Sequence, residues 1–79
     1  RVLLLDSPTV GVDIRAKSGI YQIVERLSGL GVVVLLITDE AAEAHHHCHR
    51  VLVMRRGRIV AEHVPAAGSE ADLDRLVHG

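Results

Sequence analysis

Asp6 directly follows the short apolar run Val2–Leu5 and is the first residue whose position suggests chemistry. Continuous apolar runs of this length are typical of strands buried on both faces of a parallel sheet. Such folds bind ligands at the carboxyl ends of their strands. With phosphates nearby, a carboxylate there can hold Mg²⁺, usually through a water molecule. The alternative is an aspartate that only ends the strand and starts the turn at Ser7-Pro8.

Histidines and the only cysteine cluster in the run HHHCH, which starts at residue 45. On a helix, His45, Cys48 and His49 would share one face at i, i+3 and i+4, and thiolate with imidazole suits Zn²⁺ or copper. A structural zinc site normally draws a further ligand from elsewhere, and the histidines outside the run are His63 and His78. We therefore expect no metal site here, and a small metal binder is the last of the functional alternatives.

The composition argues against several classes of partner. Nine Lys and Arg residues against ten Asp and Glu give a net charge of −1, which provides no electrostatic reason to expect nucleic acid. Arg55, Arg56 and Arg58 could bind a phosphate or an acidic partner, but a solvated turn is favoured because no aromatic residue accompanies them.

No apolar run approaches the ~20 residues that span a bilayer, so we expect no direct membrane insertion. A lone Cys48 forms no internal disulfide, which favours a reducing cytosol.

The first half of the sequence predicts a strand, a helix and a second strand, which together form a βαβ unit of an α/β fold. Asp13 is a suitable N-cap for the helix. Apolar residues at helical spacing then make one stripe, consisting of Ile20, Ile23, Val24 and Leu27. Gly29 and Gly31 end this helix, and the β-branched run Val32–Ile37 predicts another strand buried on both faces.

The second half predicts a short helix, a β-hairpin and a terminal helix. The short helix should run from Glu40 to about His47, with Asp39 as an N-cap. Strands are expected at Val51–Met54 and Arg58–His63, joined by a turn. Ser69 with Asp72 three residues later resembles a capping box that opens the last helix, to about Val77.

The order and spacing of several motifs resemble ABC-type ATPases, most closely the ATP-binding proteins of sugar importers. In that family a strand ends in Asp-Glu-Pro-Thr, a Gly-x-Asp turn follows, and the next helix often contains Ala-Lys and Ile-Tyr. The matching residues extend from Arg1 to about Glu62, and they are LLLDSPT at 3–9, Gly11-Val12-Asp13, Ala16-Lys17, Ile20-Tyr21, Leu35–Thr38, Arg50–Met54 and Gly57–Val60.

The resemblance implies a partial P-loop NTPase (ABC-type) sheet, and a single partial ATPase domain over residues 1–79 that covers the C-terminal part from the Walker B strand onward. Asp6 would be the Walker B aspartate that orders Mg²⁺. Gly11 and Asp13 would belong to the D-loop, which in this family reaches across a dimer of two ATPase domains. The resemblance implies that the chain is a C-terminal fragment, and its start at Arg1 rather than Met suggests that something upstream has been lost.

Two positions depart from the family pattern. Ser7 stands where the family has its catalytic glutamate, and a serine hydroxyl is a poor proton acceptor. General-base help is worth about 10²- to 10⁴-fold, so hydrolysis should fall by roughly that factor even in a complete domain. Asp39 stands where many members carry a histidine that contacts the γ-phosphate, and a carboxylate there would repel the phosphate. These changes predict a degenerate site, with no catalytic residue intact.

The phosphate-binding parts of the family are absent from this sequence. It contains no Gly-x-x-x-x-Gly-Lys-Ser/Thr run, and its only lysine is Lys17. The Gly-rich signature would lie before Arg1. ATP and Mg²⁺ are the cofactors of the complete family domain, and we expect neither to bind this chain alone. Whether the chain acts as an enzyme is therefore left open.

The missing P-loop strand also predicts an open sheet edge. In the family that strand separates Val32–Ile37 from Val51–Met54, so its absence leaves a gap that either the third strand closes or a partner fills.

The main functional hypothesis is the ATP-binding component of an ABC importer for a sugar or small solute. Its partners would be a second ATPase half and a membrane permease, at the cytoplasmic face of the membrane. The alternative is a non-catalytic interaction module, or relic, that pairs with another ATPase half.

Overall fold

Residues 1–78 are described by the structure, a computed structural model, and their contacts divide the chain into two units. One unit is Arg1–Asp39, and the other begins at Glu40. The described residues form three helices and two sheets of two strands each. This confirms the predicted mixed α/β class. None of the helices within residues 1–78 combines the length and the apolar character that a membrane crossing requires.

The first unit is a strand–helix–strand arrangement: β1 (Val2–Asp6), α1 (Ile14–Gly29) and β2 (Val33–Ile37). The strands are parallel, and their register runs from Val2 opposite Val33 to Asp6 opposite Ile37. The predicted βαβ elements are therefore confirmed, with boundaries that differ by one or two residues. The carboxyl ends of both strands lie at the same edge of the sheet.

The buried face of α1 is rotated from the predicted stripe. Tyr21 is 5% exposed, whereas Ile23 is 57% exposed. The half-buried residues Ile20, Val24 and Leu27 do belong to the stripe. Burying the large ring of Tyr21 removes more apolar surface from water than burying Ile23 would. Tyr21, which the predicted apolar stripe did not include, is therefore the buried residue of α1.

One face of the β1–β2 sheet is exposed, contrary to the prediction that both faces are buried. Exposure alternates along each strand, as the period of two requires. The uncovered side chains are 47–74% exposed, and they are Val2, Leu4, Val33, Leu35 and Ile37. Continuous apolar runs are typical of strands that are buried on both faces, which is why burial of both faces was predicted. This unit has only one helix to cover its two-stranded sheet, so one face of the sheet stays exposed.

The second unit contains α2 (Ala41–His47), β3 (Val51–Arg55), β4 (Arg58–His63) and α3 (Glu70–His78). The antiparallel pair β3–β4 confirms the predicted hairpin. Its turn residues Arg56 and Gly57 have φ of 50° and 78°, and type I′ turns require positive φ at both positions. β3 and β4 form a two-stranded sheet of their own.

The core of the second unit is small. Leu73 is fully buried, and Ala44 and Val53 are each 7% exposed. The partly buried side chains packed against them are Ala41, Val51, Ala61 and Val77. With so few buried side chains, each must contribute a large share of the stability.

Both ends of α3 are hydrogen-bonded. The Ser69 N–H donates to Oδ2 of Asp72 at 2.9 Å, and the Asp72 N–H donates to Oγ of Ser69 at 3.2 Å, which confirms the predicted capping box. At the other end, Nη2 of Arg55 donates to the carbonyls of Leu76 and Val77 at 2.7 and 3.0 Å. Arg55 is therefore a helix-capping residue rather than only part of a solvated turn.

Candidate functional site at the end of β1

Asp6 ends β1 with an exposed carboxylate. The hydroxyl of Ser7 donates to its Oδ1 at 3.3 Å. This single neutral contact leaves most of the carboxylate's lone pairs available, and oxygen ligands of this kind suit Mg²⁺. The position and chemistry of Asp6 are therefore compatible with the predicted role of ordering a magnesium ion.

Ser7 lies in a left-handed backbone conformation, with φ of 48°. Its N–H donates to the carbonyl of Ile37 at 2.8 Å, which extends the β1–β2 ladder by one bond beyond Asp6. A non-glycine residue in this region costs about 1–2 kcal/mol. The hydrogen bond to β2 holds residue 7 beside Asp6 at the edge of the sheet.

The turn after Ser7 returns the chain to the start of α1. The N–H of Val10 donates to the Ser7 carbonyl at 3.3 Å, and the N–H of Val12 donates to that of Thr9 at 3.2 Å. Thr9 is 5% exposed, and Gly11 has φ of 73°, which favours glycine at this position. The turn is thus held by its own backbone bonds.

Asp13 is the N-cap of α1, as predicted. Its Oδ1 accepts a hydrogen bond from the N–H of Arg15 at 2.9 Å. This contact gives Asp13 a structural role within the unit. That Gly11 and Asp13 form a D-loop reaching across a dimer remains a prediction.

Replacing Asp13 with alanine should weaken α1 by about 0.5–2 kcal/mol, because the helix loses the acceptor for an otherwise unpaired N–H. Circular dichroism of Asp13→Ala during thermal melting would measure the loss. The matched control is Asp39→Ala, which removes an exposed carboxylate that caps no helix. Equal melting curves for the two variants would contradict the capping role.

Asp39 follows β2 and is exposed. The N-cap of α2 is Glu40, and no side-chain bond caps this helix, so the predicted N-cap role of Asp39 is wrong. In the β1–β2 register Ile37 lies opposite Asp6, which places Asp39 just beyond the same sheet edge. Two exposed carboxylates of like charge at one edge would attract a cation and repel an unshielded phosphate.

The helix face that would have brought His45, Cys48 and His49 together is not formed. Helix α2 ends at His47, and Cys48 follows in an extended conformation (φ −110°, ψ 149°), so His45, Cys48 and His49 do not share a helix face. Nowhere in residues 1–78 do three or more potential ligands come together around a cation position. Burial raises the pKa of the Cys48 thiol, which disfavours the thiolate that binds metals.

Two histidines of the run contact residues far along the chain instead. Nδ1 of His45 lies 2.9 Å from Nε2 of His63, and Nε2 of His46 lies 2.7 Å from Oε1 of Glu70. The sequence analysis missed both contacts because the partners are 18 and 24 residues apart and no periodicity relates them. The only sequence signal was a histidine at the end of a predicted strand.

Comparison with known proteins shows strong similarity to ATP-binding proteins of ribose import. No family model matches the sequence. The chain is 49% identical over 77 residues to the ribose import ATP-binding protein RbsA of Chelativorans sp., which covers 98% of this chain. It is 54% identical over 61 residues to RbsA 2 of Rubrobacter xylanophilus, covering 77% of this chain. It is 46% identical over 87 residues to RbsA 1 of Burkholderia cenocepacia, covering 92%. The matched parts are 15%, 12% and 17% of these relatives' own lengths.

Proposed function

This chain belongs to the sugar-importer-like ATP-binding proteins of ABC transporters, and we propose that it supplies the magnesium-binding edge of an ATPase site whose phosphate-binding part lies in other segments. The observation that carries the proposal is Asp6, an exposed carboxylate at the carboxyl end of β1, beside the parallel strand β2. Ligands of α/β folds bind at such edges. The β1–β2 sheet is then part of a P-loop NTPase sheet, and the 79 residues are one partial domain.

The residues present fit a role in holding Mg²⁺ but not a role in binding ATP unaided. Asp6 offers free carboxylate oxygens, and the nearby carboxylate of Asp39 adds negative charge at the same edge. No Gly-x-x-x-x-Gly-Lys-Ser/Thr run occurs in the 79 residues, and this run provides the N–H groups and the lysine that hold phosphates. Bound Mg²⁺ would neutralise phosphate charge, while Asp6 would orient its water ligands.

The site is degenerate in its hydrolytic residues. Ser7 stands beside Asp6 where the family has a carboxylate that orients the attacking water, and its hydroxyl donates to Asp6. Asp39 stands where the family often has a histidine that donates to the γ-phosphate. Both changes reduce hydrolysis without removing the magnesium carboxylate. We therefore propose a nucleotide site that binds better than it hydrolyses once it is completed.

The proposed setting follows from the relatives, which are named as ribose import ATP-binding proteins. The complete protein would use ATP and Mg²⁺ to support import of a sugar or small solute. It would act with a membrane permease and a second ATPase half at the cytoplasmic face of the membrane.

A second candidate is a non-catalytic module that pairs with another ATPase half. The apolar face of the β1–β2 sheet favours it, because Val2 and Val33 are 74% and 63% exposed. Large exposed apolar patches mark interaction surfaces. This candidate predicts binding to another ATPase half without any dependence on nucleotide.

The experiment that tests the main proposal combines the chain with the missing phosphate-binding part. The chain is mixed with the separately produced preceding part of a relative's ATPase domain, and melting is recorded with and without Mg-ATP. The chain alone should show no shift. The mixture should be stabilised by about 2.7 kcal/mol when nucleotide is at 100 times its dissociation constant.

Asp6→Asn should abolish the magnesium-dependent part of that shift, because the amide no longer attracts the cation. Asp74→Asn makes the same chemical change on α3 and serves as the control. A shift for the chain alone would contradict the proposal. A mixture that associates but does not respond to Mg-ATP would favour the non-catalytic module.

A further inference from the structure

A pair of histidines joins α2 to the end of β4. Nδ1 of His45 and Nε2 of His63 are 2.9 Å apart, and their ring centroids are 5.2 Å apart. His63 is 5% exposed, while His45 is half-buried. The residues come from α2 and the last position of β4, so this contact connects a helix to the hairpin.

The contact can hold only a limited number of protons. A hydrogen bond between two imidazole nitrogens needs one N–H and one lone pair. The neutral pair and the pair with one additional proton both satisfy this requirement. With two additional protons, two N–H groups would face each other at 2.9 Å, and two positive charges would share a mostly buried contact.

Charged side chains occur on α2, β4 and α3, the elements next to the pair. On α3, Glu70 binds the neighbouring His46. The Asp72 carboxylate lies near the other side of the His63 ring, because a Cβ at Gly68 would be 3.3 Å from Nδ1 of His63 and 3.4 Å from Oδ2 of Asp72. Other charged groups are Glu43 on α2, and Glu62 of β4, which forms an ion pair with Arg50, the residue before β3.

Asp72 is negatively charged across the range in which histidines titrate. The N–H of Ser69 first, then its hydroxyl and Arg75, lower the pKa of the Asp72 carboxyl. A proton added to His63 lets its Nε2 donate to a neutral His45. The second proton, on His45, is the one that the contact cannot accommodate.

We propose that the His45–His63 contact is a pH-dependent switch, which holds α2 against the end of β4 with at most one additional proton and releases α2 with two. The contact in the folded chain can hold one proton fewer than the same two side chains can when they are apart, and an unperturbed histidine has a pKa near 6.5. Where the unfolded state binds more protons, stability falls as the pH falls. The stabilisation that the contact provides therefore decreases as the pH falls into the range in which histidines are protonated.

Two exposed ion pairs between a histidine and a carboxylate in the second unit have the opposite pH dependence, but their effect on stability is small. His46–Glu70 and His78–Asp74 gain attraction when the histidine is protonated. Their side chains are 50–71% exposed, and exposed ion pairs contribute little. They reduce the acid sensitivity without reversing it, so the switch is measured as a difference between variants.

The test is unfolding of the whole 79-residue chain in denaturant at pH values from 5 to 8. Below pH 6.5, the unfolding equilibrium constant of the unmodified chain should rise by up to tenfold per pH unit relative to His45→Gln. Glutamine can accept from a protonated His63, so the variant lacks the conflict. His49→Gln removes an exposed histidine outside α2 and should keep the pH dependence of the unmodified chain.

Histidine nitrogen resonances of the unmodified chain provide a second measurement that does not depend on how well a variant folds. The second protonation of the pair should coincide with loss of the native α2 amide signals. The proposal is overturned if His45→Gln keeps the full pH dependence, or if His45 and His63 both become protonated while α2 stays native. Neither measurement involves nucleotide, so the result is independent of the proposed ATPase role.

Discussion

Replacing Leu73 with alanine is expected to unfold most of the second unit at room temperature. Leu73 is the one fully buried side chain among the described residues. Leucine-to-alanine changes in cores cost about 2–5 kcal/mol. Native domains have about 0.05–0.15 kcal/mol of stability per residue, which is about 2–6 kcal/mol for a unit of about 40 residues. The loss is therefore as large as the whole stability of the unit.

Amide hydrogen exchange separates this effect from the first unit. In Leu73→Ala the protection of α2, α3 and the β3–β4 hairpin should disappear, while α1 keeps its protection. The control is Leu76→Ala, the same chemical change on the same helix at a side chain that is 36% exposed. It should cost less than half as much, because less apolar surface returns to water. If the two variants exchange at the same rate, the core of this unit lies elsewhere.

Local features of the fold were predictable because each is encoded within a few residues. Asp13 caps α1, and Ser69 with Asp72 caps α3, through bonds that span two or three positions. The hairpin follows from the Gly57 turn between apolar runs. Packing was less predictable. Tyr21 is buried in α1 and Ile23 is exposed, and periodicity alone does not say which side of an apolar stripe is covered.

The candidate site was predictable in its residue types and less so in its geometry. Asp6 lies at the sheet edge where the pattern placed it. The left-handed conformation of Ser7 and its bond to Ile37 could not be read from the sequence, because they depend on the pairing with β2. The His45–His63 contact likewise depends on how β4 returns to α2. Contacts between residues that are far apart in the sequence can be predicted only once the fold is known.

In a complete ATPase domain carrying this segment, Ser7→Glu should raise ATP hydrolysis by about 10²- to 10⁴-fold, the usual contribution of a general base. The substitution places a carboxylate next to Asp6, where it can orient the water that attacks the γ-phosphate. A suitable background is a relative's ATPase domain in which residues 1–62 of this chain replace the matching segment. Steady-state phosphate release measures the rate. The isolated chain with Ser7→Glu should remain inactive, because it lacks the phosphate-binding run.

Ser7→Gln is the matched control, because glutamine has the size of glutamate but does not accept a proton. Both variants lose the hydroxyl bond to Asp6 and both place a longer side chain on a backbone with φ of 48°. Strain and the lost bond therefore cancel in the comparison, and only the proton-accepting group differs. If Ser7→Gln accelerates hydrolysis as much as Ser7→Glu, the gain comes from the backbone or from packing, and residue 7 is not the position of the missing base.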